Sequence, residues 1–374
     1  MIDNSPRKAR ELLAVCLSAP EKASGRLAAQ SMTAIITTDT FLSTASSEAI
    51  LPTLYPCLFS LNRLQLLPPD LPPATLQAVT QLNAERNESI LCQLQSVASL
   101  LNTQGIQPLV LKGAAYLLTN VYPDRLGSRY LADIDLAIPE SQMPAAQAAL
   151  LEAGYEPEAH DAMARFRHHH VPLRKPDGGV SFELHHSLAL GKAARQLLTI
   201  PEMLDASTVL TWRDVQLRIP SPEHLVTHLI LHSQIRHPYS ERIWPPLRAM
   251  YDLLLLNSRF ASAILWSSID QRFHSARQRS TLYLHLLQVE QTLGMSRPLP
   301  VNLTPFEKLR WFRRRVLNRW PTVRFFDPAY LILATLSRRF RLLQSILDTP
   351  GGYKSALQMV LTPGFYRRLL DEIL

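Results

Sequence analysis

Between residues 87 and 102 the apolar residues Ile90, Leu91, Leu94, Val97, Leu100 and Leu101 recur at helical spacing. Gly105 follows, where a left-handed residue can close the helix. The chain before this helix also reads as helical, with breaks at Leu51-Pro52 and at Leu67-Pro68-Pro69-Asp70-Leu71-Pro72-Pro73, because proline lacks an amide hydrogen and crowds the preceding turn. The period then shortens. Pro108-Leu109-Val110-Leu111 is a strand-type apolar run, and residues 114–118 after Gly113 start a helix. Residues 134–138 form a second strand pattern, with Ile134, Leu136 and Ile138 on one face and Asp133 and Asp135 on the other. Ser141 and Gly154 bracket an Ala-rich helix. Strands are expected near 166–173 and 180–188, joined by the turn Lys175-Pro176-Asp177-Gly178-Gly179, and a last one at 215–219. Ser221-Pro222-Glu223 starts the helical remainder with a hydroxyl cap, a proline in the first turn and an acid at the positive dipole end. The pattern predicts an α+β centre at 106–220 between helical regions at 1–105 and 221–374.

Composition narrows the class. With 47% apolar and 19% charged residues, the 374-residue chain is an ordinary globular sequence and is not expected to be disordered. No segment reaches the ~20 uninterrupted apolar residues of a membrane span, and the N-terminal Met1-Ile2-Asp3-Asn4-Ser5-Pro6 carries no signal-peptide pattern. Cys16, Cys57 and Cys92 fit no disulfide or zinc spacing, so reduced, buried thiols and a cytoplasmic location are expected.

Candidate chemistry gathers in the centre. A strand-Lys112-Gly113-helix junction lets a phosphate approach the backbone and the helix N-terminus. Asp133 and Asp135 alternate along one strand, so their side chains point the same way from roots about 6.5–7 Å apart. Such a pair repels unless a cation bridges it, and carboxylate oxygens suit hard cations. In Phe182-Glu183-Leu184-His185-His186, Glu183 and His185 share a strand face, which makes Glu183 a third candidate carboxylate.

Together these segments resemble a known family. Leu109-Val110-Leu111-Lys112-Gly113, Ser128-Arg129 and Leu131-Ala132-Asp133-Ile134-Asp135-Leu136 resemble the Lys-Gly … Arg … Asp-Ile-Asp-Leu motif of an uncharacterised bacterial nucleotidyltransferase family, a branch of the DNA polymerase β-type superfamily. Glu183-Leu184-His185 is similar to its Glu-Leu-His-Trp motif, with His186 replacing the aromatic residue. Pro220-Ser221-Pro222-Glu223-His224-Leu225, Leu229-Ile230-Leu231-His232, Arg248 and Asp252 look like its later segments.

The resemblance implies a small mixed-sheet nucleotidyltransferase core. It implies that Asp133, Asp135 and Glu183 are catalytic and hold Mg²⁺ (or Mn²⁺). It places Lys112, Gly113, Arg129 and His185 on the nucleotide side of the site. The implied reaction moves a nucleoside monophosphate from a nucleoside triphosphate such as ATP to an acceptor, whether protein, small molecule or RNA, with release of pyrophosphate. Ala114 stands where the wider superfamily carries a serine that contacts phosphate. Two other functions compete: a glycosyltransferase using Asp-x-Asp, and a non-catalytic protein- or RNA-binding module on the same scaffold.

Other residues carry weaker signals. His224, His228 and His232 lie at i, i+4 and i+8, as a metal pair or a helix seam requires. His168, His169 and His170 alternate across a strand, and Arg125 precedes the acidic strand. The net charge of +8 owes much to Lys308, Arg310, Arg313, Arg314, Arg315, Arg319 and Arg324, with Arg338, Arg339 and Arg341 beyond. On a helix there, Leu309, Trp311, Phe312, Val316 and Leu317 are expected to anchor to the body. The guanidinium groups are then expected to face solvent or the cleft, where they can attract a polyanion.

Overall fold

The computed structural model describes residues 5–19, 36–122, 124, 126–158, 171–189, 192–236 and 245–319. The fold is α+β and is built on one mixed seven-stranded sheet. The strands are β1 (Leu109–Val110), β2 (Asp133–Ala137), β3 (Glu156–Pro157), β4 (Leu173–Lys175), β5 (Gly178–His185), β6 (Thr208–Trp212) and β7 (Val215–Ile219). Their order across the sheet is β3-β4-β5-β2-β1-β7-β6. β2 runs parallel to β5 and β1 parallel to β7, while the other neighbours are antiparallel.

The central strands are apolar on the face away from the acids. Ile134 pairs with Phe182 and Leu136 with Leu184, and all four are buried. Pro73 opens the 31-residue helix Pro73–Thr103, which packs across β5 and β7 and against the helix Met143–Glu152. At its end Gly105 takes φ 71°, and the Ile106 amide donates to the Leu101 carbonyl, as a glycine-terminated helix requires. The short helix Lys112–Leu118 packs on β2 and on the helix Pro222–Ile230. Ser221 caps the latter by accepting from the His224 amide. The first helix, Pro6–Leu17, touches Ala276–Leu293, so one continuous hydrophobic core runs from Ala9 to Met295.

Several local expectations change. Strand β6 is absent from the sequence reading. It is largely exposed and is joined to β7 by Arg213 and Asp214, both at positive φ, a primed two-residue turn without the usual Asn-Gly. Ser141 lies inside a 3₁₀ turn, and Gln142 takes the cap position of the next helix. Cys16 and Cys57 are buried free thiols, but Cys92 is exposed.

The basic helix Pro305–Arg319 is turned about its axis from the expected pose. Arg314 is buried and Arg310 donates to Ser280 Oγ at 3.4 Å, whereas Leu309 and Phe312 are exposed. A guanidinium can lie inward because its stem is apolar and its head finds partners. Arg125, His168, His169, His170, Arg324, Arg338, Arg339 and Arg341 lie outside the described residues. Among the described residues, no helix is long and apolar enough to cross a membrane.

Candidate active site

Parallel pairing of β2 with β5 sets Asp133 opposite Ser181, Asp135 opposite Glu183, and Ala137 opposite His185. Strands lie only about 4.8 Å apart, so the Asp135 and Glu183 carboxylates are neighbours across the ladder. His185, two residues along β5, returns to the same face. Its Nε2 lies 2.6 Å from Asp135 Oδ1 and 3.5 Å from Glu183 Oε2. Lys112 enters from the β1–helix junction at φ 49°, a left-handed conformation unusual for a side chain with a Cβ. Its ammonium bonds to the same Asp135 oxygen.

The surroundings separate the two aspartates electrostatically. Burial alone would raise the Asp135 carboxyl, but Lys112 and the His185 hydrogen bond outweigh it and hold the group well below the ordinary carboxylate range. Asp133 behaves oppositely. Burial first, and then the charges of Asp135 and Glu183, push it up to about 6 against the pull of Lys112. One acid is thus fixed as an anion, and the other titrates near pH 6.

Asp135, Glu183 and His185 offer ligand atoms that all lie within 4.8 Å of one another, the arrangement a metal ion needs. Two carboxylates supply hard oxygens suited to Mg²⁺ or Mn²⁺, and Asp135 is already ionised, so the donor set fits such an ion. The histidine row has a different environment. His224 Nε2 meets Arg272 Nη2 at 3.2 Å, the His228 and His232 rings meet edge to face at 6.3 Å, and the helix widens into a π-turn at Leu231–Arg236.

Arg129 is engaged by a buried acid, Asp252. Its Nε and Nη2 donate to the two oxygens of Asp252 at 3.0 and 3.1 Å, and Nη1 donates to the Tyr130 carbonyl at 2.6 Å. Both side chains of the pair are buried, and the Tyr122 hydroxyl donates to the same Asp252. Burial opposes the Arg129 charge, but Asp252 more than compensates and raises its pKa. Gly113 lies against this pair. A Cβ there would come within 2.5 Å of Leu131 Cδ2 and 3.6 Å of the Arg129 guanidinium carbon. Close packing, in addition to any phosphate approach, therefore calls for glycine.

The loop that leads into β2 is held by residues the sequence reading passes over. Asn83 donates to the Gly127 and Arg129 carbonyls at 2.7 and 3.2 Å, and Asn87 to those of Leu126 and Arg129, both at 2.6 Å. Arg86 reaches the Leu131 carbonyl at 2.6 Å, and Thr53 the Ser128 carbonyl at 2.6 Å. A signal exists in the chain: Thr80, Asn83 and Asn87 continue the buried row of Leu76, Ile90 and Leu94 with polar side chains. Amides placed in an apolar phase point to buried hydrogen-bond partners.

The family model described as an uncharacterised nucleotidyltransferase matches residues 36–294. The chain belongs to this nucleotidyltransferase family. No curated protein matches this nucleotidyltransferase significantly in sequence. Among solved structures, it is similar to the antibiotic-resistance factor ANT(2'')-Ia at 11% identity and TM-score 0.35, over 55% of this chain and 97% of that one. It is also similar to an antigenic nucleotidyltransferase-like protein from Paracoccidioides brasiliensis at 16% identity and TM-score 0.36, over 56% of this chain and 94% of that one.

Proposed function

We propose that this nucleotidyltransferase moves a nucleoside monophosphate from a nucleoside triphosphate to an acceptor hydroxyl. The acceptor oxygen bonds to the α-phosphorus, the bond from that phosphorus to the bridging oxygen breaks, and pyrophosphate leaves. The observation that carries the reading is the side-by-side register of Asp135 and Glu183, with His185 beside both. Asp135, with Glu183 and His185 beside it, would hold Mg²⁺ or Mn²⁺, and Asp133 on the same strand face would add a further carboxylate. When bound, the cation supplies charge neutralisation at the reacting phosphoryl group and orients the attacking and leaving oxygens.

The remaining roles belong to the chain itself. Asp135 stays anionic, so it holds positive charge at the site without a protonation step. Glu183, half-buried beside it, either completes the cation set or takes the acceptor's proton. Lys112 offers its ammonium to the triphosphate, and Gly113 lets the chain approach it. Arg129, clamped by Asp252, supports the loop before β2, so its contribution to nucleotide binding comes through positioning. The family match favours this reading over a glycosyltransferase using the same Asp-x-Asp.

The test incubates the full chain with each α-labelled nucleoside triphosphate, Mg²⁺ or Mn²⁺, and fractionated protein, RNA and small-molecule acceptors. The expected result is a labelled product in one fraction that disappears with a chelator and with Asp135→Asn. That variant keeps the side chain's shape but removes the charge a hard cation needs. Wild-type labelling by Asp135→Asn would overturn the assignment.

A further inference from the structure

β1 ends at Val110 and the next helix starts at Lys112, which turns the chain through a left-handed residue. The turn brings the Lys112 ammonium onto Asp135 Oδ1, where His185 Nε2 also bonds at 2.6 Å. The Asp135 side chain is 3% exposed, so water has little access to compete at that oxygen. One of the two carboxylate oxygens that a divalent cation would use, Oδ1, is therefore already in contact with a resident cation and a hydrogen-bond donor. Lys112 itself is 19% exposed and lies at the rim, where it can swing away without unpacking the core.

We propose that Lys112 is the resident counter-ion of the carboxylate pair and leaves Asp135 when the phosphates of an incoming nucleoside triphosphate offer it a new partner. Divalent-cation binding and nucleotide binding are then coupled through this one side chain. The inference rests on the nucleotidyl-transfer reading for the identity of the anionic ligand, while the counter-ion role rests on the contact itself. Without nucleotide, a doubly charged ion at Asp135 must evict the ammonium or sit against it. Like charges a few ångströms apart in a poorly solvated site repel strongly. With nucleotide, the triphosphate oxygens accept the ammonium and the eviction is compensated. Linkage makes the effect reciprocal, so the cation tightens nucleotide binding by the same factor.

The experiment measures Mn²⁺ binding to the full-length, nucleotide-free chain by the electron paramagnetic resonance of free Mn²⁺. It compares wild type with Lys112→Met, Lys112→Gly and Asp135→Asn, each checked for fold by circular dichroism. Lys112→Met removes the ammonium and keeps the strained turn, while Lys112→Gly removes both. The expected result is Mn²⁺ binding about tenfold or more tighter in both Lys112 variants, equivalent to about 1.4 kcal/mol or more, and lost in Asp135→Asn. Unchanged or weaker Mn²⁺ binding in folded Lys112→Met overturns the proposal. So does tightening in Lys112→Gly alone, which would trace the effect to the backbone. Labelled product from wild type with unchanged Mn²⁺ affinity in both variants removes the counter-ion role and leaves transfer standing. Tightened Mn²⁺ binding in both variants with no wild-type product removes transfer and leaves the counter-ion role standing.

Discussion

Asp252→Asn separates a structural clamp from a phosphate contact at Arg129. In the wild type Arg129 places Nε and Nη2 on the two Asp252 oxygens at 3.0 and 3.1 Å, with only 9% and 3% of the two side chains exposed. Asparagine keeps one oxygen, for which Arg129 Nε and Tyr122 both compete, but turns an amide donor toward Nη2. The substitution therefore loses a charge-assisted bond and leaves a guanidinium buried without its counter-charge. Removing one partner of such a pair costs about 3–5 kcal/mol, a large share of the roughly 5–15 kcal/mol that keeps a protein folded.

Replacing both partners, as Arg129→Met with Asp252→Leu, removes the stranded charge and should fall within about 1–2 kcal/mol of wild type. Urea unfolding followed by circular dichroism measures the four corners of the cycle, namely wild type, Arg129→Met, Asp252→Leu and the double variant, and the coupling energy should be about 2 kcal/mol or more. A cost below about 1 kcal/mol for Asp252→Asn would refute the clamp and return Arg129 to the pool of groups available to phosphate.

Three other outcomes follow from the geometry. His285 is buried with no hydrogen-bond partner for either ring nitrogen among the described residues, and burial, with Arg314 adding to it, lowers its pKa to about 3. The unfolded chain takes up a proton there near 6.5 that the folded chain refuses, so stability should decline as pH falls from about 6.5 toward 3. Thermal melts across that range should show a shallower decline in His285→Leu, which should also be about 1–2 kcal/mol more stable at neutral pH. For Asp133, raised from 3.8 to about 6, the folded chain holds a proton between those values that the unfolded chain has released. Stability from this group therefore falls as pH rises through that window, and Asp133→Asn should flatten the slope in metal-free urea titrations. Gly113→Ala, with its methyl 2.5 Å from Leu131 Cδ2, should cost about 1–3 kcal/mol in the same titrations.

How much of this was legible depends on the range of each interaction. β2 and β5 could be read because each carries its own alternation, and their acids fall on one face by the period of a strand. The pairing of Asp135 with Glu183 is a register between segments 48 residues apart, set by the sheet rather than by either strand. The Arg129–Asp252 pair joins positions 123 residues apart, and only the family-like motif drew both residues into view. β6 escaped because Thr208–Trp212 is mostly exposed and has little apolar alternation, while its turn reaches left-handed geometry with Arg213 and Asp214. On the basic helix, charge favoured an outward Arg314 and apolarity an inward Phe312. Packing against Ala276–Leu293 decided otherwise, since propensity ranks residues but neighbours choose the face.

The amides of Asn83 and Asn87, which hold the loop before β2 from the Pro73–Thr103 helix, bear on which parts of the chain the site needs. These bonds span 39 to 46 residues, and the Arg129–Asp252 bond spans 123. Joining positions so far apart costs more chain entropy than a hairpin or a helical turn does. The final placement of the β2 acids therefore depends on contacts from the Pro73–Thr103 and Leu247–Arg259 helices. A fragment spanning only residues 106–220 would carry every acid of the site but none of the distant amides, and no Asp252, to hold them in place.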